Sequence, residues 1–279
     1  MVAMIRLIVN ADDLGISPNR DRGLFRAFAA GIVSSASLLA NGEDFAAAAA
    51  EARAAGLPVG VHLNLSEGRP LAGPIPGLTD GDGRFPGKAG LRLRLLGGWR
   101  EATAVLREFA AQIDRVRAAG LEPDHLDTHQ HCLLFPALTD LVIAAAAAAG
   151  IGAIRLPLQV EPATADPGGD LGRDLALYRR LAPPAAAALR AAGLFTPDGL
   201  WGMPALGHLD TGRLAALLET IPPGTWELMT HPGYADPGHP FGGPDRESEL
   251  AALTAPGIAR LVAERQIRLT TFGACGCAC

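Results

Sequence analysis

Apolar positions along this chain fall into short runs, and almost every run is followed by a longer stretch in which they recur every three or four residues. The first, residues 5–11 (Ile-Arg-Leu-Ile-Val-Asn-Ala), is β-branched and nearly all apolar, as expected of a buried parallel strand. Further strands are predicted at 32–39, 59–65, 125–131, 153–157, 200–203, 225–231 and 267–272. Helical periodicity predicts helices at 19–30, 43–55, 101–119, 135–149, 174–192, 211–220 and 247–264. Their ends carry ordinary punctuation. Ser17-Pro18 opens the first helix as cap and first-turn proline, and Gly56, Gly120, Gly150 and Gly193 close four others.

Eight short strands alternating with about seven helices make an α/β fold. The expected architecture is a distorted (β/α) TIM-like barrel in a single domain spanning 1–279, with a doubly wound open sheet as the rival. Two Gly/Pro-rich insertions, at about 66–98 and 158–173, lack clear periodicity. The first is too long for an ordinary connection and suits a lid or substrate wall.

Polar residues that break the apolar runs carry the candidate chemistry. His125, Asp127, His129 and His131 recur at every second position, which in an extended strand puts all four on one face. Neutral imidazoles with a carboxylate suit a divalent cation, and one strand cannot encircle it, so further ligands must come from elsewhere. The adjacent Asp12 and Asp13 leave the first strand, His62 and Asn64 share a face of the third, and His231 ends the seventh. Arg155 interrupts an apolar strand and, if buried, needs a carboxylate such as Asp12 or Asp13. All of these lie near carboxyl ends of predicted strands, where barrels of this type place their active sites.

Composition narrows the field. The net charge of -5 over 279 residues gives no basic footprint, so nucleic acid is a poor partner. No apolar run reaches membrane-spanning length and no signal peptide is read at the start, so a cytoplasmic location is expected. Lys88 is the single lysine. Of the four cysteines, Cys132 reads as a small apolar filler, and Cys275, Cys277 and Cys279 as a frayed tail whose spacing lacks the usual metal-binding bite.

With these residues assembled, the chain resembles the YdjC family of carbohydrate deacetylases, which includes chitooligosaccharide deacetylase. The matching segments are Asn10-Ala11-Asp12-Asp13-Leu14-Gly15-Ile16-Ser17, Gly31-Ile32-Val33-Ser34-Ser35-Ala36-Ser37, Val61-His62-Leu63-Asn64-Leu65-Ser66-Glu67-Gly68, the stretch from Pro123 to His131, Arg155-Leu156-Pro157 and Thr230-His231-Pro232-Gly233-Tyr234. The resemblance implies a distorted barrel and a divalent cation, Mg or Zn ahead of Mn, Co or Ni, held by Asp13, His62 and His129. By analogy with the broader polysaccharide deacetylases, Asp12 would be the general base, Arg155 its partner and His231 the general acid. The roles of Asp12 and Asp13 could be exchanged. His131, Asn64 and Trp201 are expected to contact a small N-acetylated amino sugar. Where the family often has a further histidine, this chain has Cys132. A hopanoid-biosynthesis branch is similar too, so the substrate does not follow, and a homodimer is left open. Two rival readings are a catalytically silent metal-stabilised sugar-binding or regulatory protein and another metal-dependent barrel hydrolase such as a phosphoesterase.

Overall fold

The structure is a computed structural model that describes residues 4–239 and 242–276; Cys277 and Cys279 of the predicted tail lie outside them. In chain order the elements are β1 (Ile5–Leu14), α1 (Pro18–Ala30), β2 (Ser35–Leu38), α2 (Phe45–Ala55), β3 (Val59–Leu63), α3 (Gly87–Leu96) and α4 (Ala102–Ala118). After them come β4 (Leu126–Thr128), α5 (Pro136–Ala149), α6 (Gly169–Ala191), β5 (Gly199–Trp201), α7 (Thr211–Thr220) and β6 (Gly224–Thr230). The chain continues through α8 (Asp245–Leu253), α9 (Pro256–Glu264), β7 (Ile267–Leu269) and α10 (Phe272–Gly276).

All the strands pair in parallel, in the order β4-β3-β2-β1-β6-β5. β7 pairs with the first residues of β1 (Ile5–Leu7), and β2 pairs with its last (Asn10–Leu14). This curled sheet wrapped in helices is the distorted (β/α) barrel. Between β4 and β5 the wall is made only of single bridges, Leu126↔Ile154, Ala153↔Phe195 and Gln159↔Leu200. The predicted strand at 153–157 is one of these reduced stretches. Pro157 has no N–H to extend a ladder, so regular pairing cannot run through it.

Alternation along β1 explains how a buried strand carries polar groups. Leu7, Val9 and Ala11 join the main apolar core, while Ile8 packs in a separate small cluster with Ala153 and Phe272. Asn10 and Asp12 follow Ile8 on its face. The barrel interior is therefore apolar at its floor and polar above. No helix among the described residues is long and apolar enough to cross a membrane.

Several expectations are corrected. β4 stops at Thr128, and residues 129–134 coil into a 3₁₀ turn in which Gln130 and His131 take positive φ values of 56°. His129 and His131 thus do not share a strand face with His125 and Asp127. The predicted helix at 247–264 is two helices, because Pro256 cannot continue the first. Ser17 holds the N-cap position of α1 but makes no capping hydrogen bond. The insertion at 66–98, which shows no clear periodicity, contains the helix α3. Lys88 of α3 pairs with Asp174 of α6 at 2.5 Å, and Arg92 bonds to both Asp174 and Tyr178. α3 is thereby latched across the mouth of the barrel.

Candidate active site

The site is built where β1 breaks its register. Between Ala11 and Leu14 the pairing with β2 shifts, and Asp13 takes a left-handed φ of 66°. A kink of this kind re-aims side chains. It lets two consecutive carboxylates serve the same interior, with Asp12 reaching Arg155 and Asp13 reaching the histidines.

Asp13 Oδ1 lies 3.0 Å from His129 Nδ1 and 3.5 Å from His62 Nε2, and those two nitrogens are 3.1 Å apart. Donor atoms bound to a single cation at about 2.0–2.2 Å sit about 3.0–3.5 Å from one another. The triangle therefore has the dimensions of a coordination face. Asp13 Oδ1 is also buried without a well-directed hydrogen bond, as a ligand atom would be. On the other side of His62, Nδ1 faces Asp127 Oδ2 at 2.9 Å, an arrangement that leaves Nε2 as the free donor. Asp13, His62 and His129 fit a metal ion.

The electrostatics agree. Burial pushes the Asp13 carboxyl up, but His129, His62 and Arg20 outweigh it and hold it well below the usual range. Burial likewise pushes His129 down, and Asp13 followed by Glu67 reverses this to about 10. In the ion-free protein His129 carries a proton against the Asp13 carboxylate, and a cation would displace it.

Beside the triangle lies a fully buried ion cluster. Arg155 Nη1 and Nη2 donate to the two oxygens of Asp12 at 2.6 Å each, Nη1 also lies 2.6 Å from Asp127 Oδ2, and Nε donates to Glu227 Oε1 at 2.7 Å. Asn10 Nδ2 adds a bond of 2.8 Å to Asp12 Oδ1. Burial raises Asp12, and the Arg155 charge more than offsets it, so Asp12 is held ionised. Glu227 differs, because burial prevails over Arg155 and pushes it up to about 7. A carboxyl raised in the folded state contributes stability below its unfolded value of about 4.3, and that contribution is lost as pH climbs through the folded value. Glu227→Gln, which still offers Arg155 an oxygen, is therefore expected to be about 1–3 kcal/mol more stable than the parent at pH 8 but not at pH 5. Urea denaturation at the two pH values measures this, and an equal gain at both would remove Glu227 as its source.

The cavity above these groups has a volume of about 80 Å³ and is bounded by Asp12, Asp13, His62, His129, His131 and His231, with Lys88 and Tyr178 on the lid side. His131 stands edge-on to Tyr178, with ring centres 5.3 Å apart. His231 Nδ1 has no partner, and burial with the Arg246 charge pushes the imidazole down to about 3, so it is neutral at rest. Two sequence-predicted substrate residues stand elsewhere. Trp201 packs edge-on against Trp226, 6.2 Å between ring centres, outside the cavity lining. Asn64 is spent on its own loop: its Oδ1 accepts from Ser66 and Glu67, and its Nδ2 donates to Asn41 and to the Glu67 carbonyl. It borders a separate cleft of about 390 Å³ next to the cavity, not the cavity itself. His125 also turns away, pairing with Asp124 at 2.7 Å and stacking on Phe272. Cys132 is buried and its thiol is pushed up to about 12 by that burial, as suits an inert filler.

Glu227, Glu67 and Tyr178 were not singled out in the sequence. Glu227 had a signal, since a carboxylate inside the apolar run Thr225-Trp226-Glu227-Leu228-Met229 needs a cation as much as Arg155 needs an anion.

The profile of the YdjC-like protein family matches residues 6–264, a span that holds the Asp13–His62–His129 triangle, the Arg155 cluster and His231. The chain belongs to the YdjC-like family. A carbohydrate deacetylase of Mus musculus is 37% identical to this YdjC-like chain over 95% of it and 93% of the mouse protein. A chitooligosaccharide deacetylase of Enterobacter is 33% identical over 95% of the chain and 97% of that relative. Among solved structures, an Enterococcus faecalis protein provisionally named for cellobiose-phosphate cleavage superposes with a TM-score of 0.75 at 24% identity. The match covers 96% of the YdjC-like chain and 98% of the other, and bears on the fold alone.

Proposed function

We propose that this chain is a metal-dependent hydrolase that removes N-acetyl groups from amino-sugar oligosaccharides or glycolipid head groups and releases acetate. The observation that carries the reading is the Asp13–His62–His129 triangle beside an Arg155-clamped Asp12, in a family whose relatives include carbohydrate deacetylases. Asp13, His62 and His129 would hold the cation. Two nitrogen donors and one oxygen favour zinc, with manganese, cobalt or nickel next, over magnesium, which prefers oxygen ligands in a near-ideal octahedron. When bound, the ion supplies Lewis acidity toward the acyl oxygen.

Asp12 is the general base. Its Oδ1 already accepts from Arg155 and Asn10, so Oδ2, with one bond from Arg155, is the oxygen left with an acceptor site for a proton of the attacking water. His231 hands a proton to the departing amine. Because the resting imidazole is neutral, the proton that Asp12 takes from water passes across the cavity to His231 and from there to the amine as the C–N bond breaks. The cavity, at about 80 Å³, is far smaller than the about 300–1,000 Å³ of typical small-molecule sites; it takes the acyl group, and the cleft of about 390 Å³ beside it has the room for sugar rings.

Metal-stripped protein given zinc, manganese, cobalt, nickel or magnesium is expected to release acetate from N-acetylglucosamine oligomers and to stop on chelation. Absence of acetate with every cation across a panel of acetylated sugars would sink the proposal.

A further inference from the structure

Each imidazole of the triangle has a second nitrogen, and the two are treated alike. His62 points Nε2 into the triangle and Nδ1 at Asp127. His129 points Nδ1 into the triangle, and its Nε2 lies 3.6 Å from Glu67 Oε2. That nitrogen is buried and has no hydrogen bond, so Glu67 is the carboxylate positioned to receive its proton with a small closing movement. If Nδ1 is to offer a lone pair, the ring proton must sit on Nε2, and an acceptor there selects that tautomer.

Glu67 is itself held in place. Its carbonyl accepts from Asn41 Nδ2 and Asn64 Nδ2, both at 2.9 Å, its N–H donates to Asn64 Oδ1, and its Oε1 accepts from Gln130 Nε2 at 2.8 Å. The loop bonds of Asn64 thus fix the backbone from which Glu67 reaches the ligand. We infer that Glu67 is a positioning residue that orients His129 as a ligand through Nδ1, the counterpart of Asp127 on His62. The inference rests on the proposed metal-dependent reading of the site.

Zinc titration calorimetry on the metal-stripped full chain tests it. Zinc affinity is expected to fall about 10-fold in Glu67→Gln and up to about 100-fold in Glu67→Ala, the range found when outer-shell partners of metal ligands are removed. The metal-free variants should still unfold cooperatively, with a melting temperature lowered only by the loss of the Glu67 contact to His129. Gln130→Asn, which tolerates the left-handed backbone but is too short to reach Glu67, removes one of the bonds that hold Glu67 and should bind zinc no more weakly than Glu67→Ala. Equal affinity in the parent and both Glu67 variants would overturn the inference while leaving the site intact. A larger loss in Gln130→Asn than in Glu67→Ala, or metal-free Glu67 variants that no longer unfold cooperatively, would also overturn it by reducing Glu67 to a loop anchor. A parent chain that takes up no zinc or any other tested cation would overturn the proposed function and this inference together.

Discussion

Asp13→Asn is expected to cut kcat/KM for deacetylation by about 10³-fold or more and to weaken zinc binding with it, since a Lewis acid contributes several kcal/mol and each 1.4 kcal/mol is about tenfold. The choice of asparagine follows from the backbone. At a φ of 66° alanine would add strain of its own, whereas asparagine tolerates the left-handed region and removes only the charge. The neighbouring Asp12→Asn provides the contrast. Asp12 bonds to Arg155 and Asn10 rather than to the two histidines, so its loss should lower kcat by about 10²–10⁴-fold while zinc affinity holds. Calorimetry and an acetate assay on both variants decide the matter. If Asp12→Asn lost zinc and Asp13→Asn kept it, the two roles would be exchanged.

Arg155→Met is expected to lower folding stability by about 3–5 kcal/mol at pH 7, the range for removing one partner of a buried ion cluster. The guanidinium is fully buried, and three carboxylates, Asp12, Asp127 and Glu227, converge on it. In the parent, burial raises Asp12 and Asp127, but Arg155 and then His62 hold Asp12, and His62 and then Arg155 hold Asp127, below the ordinary range. Such lowered groups contribute stability above an unfolded value of about 3.9 and lose it as pH falls. Without Arg155 the burial effect remains, the carboxyls rise, and their penalty disappears once they are protonated. The parent and variant curves should therefore converge toward acid. Urea denaturation from pH 4 to 8 would show it, and a gap that widened toward acid would contradict this account of the cluster.

The alternation of strand and helix was legible because the layer between sheet and helices is apolar and its periodicity clean, as in β1 and α4. The site was legible where a polar residue broke an apolar run, as Asp12, Asp13, His62 and Arg155 do. It was misread where backbone conformation overrides periodicity. Gln130 and His131 turn left-handed right after β4, which no spacing rule at 125–131 reveals. Trp201, expected to contact the sugar, packs edge-on against Trp226 and does not line the cavity. Asn64 shares a strand face with His62 in the sequence, but β3 ends at Leu63 and the amide turns into its own loop. Glu67 and Tyr178 were hidden because their partners lie about 60 and 50 residues away in sequence, beyond any local pattern.

A chain with a single lysine has placed it on the latch. Its ε-ammonium grips Asp174 only while α3 lies against α6. Acylation of that one side chain would remove its charge and leave Arg92 as the cation on Asp174 at the doorway of the barrel.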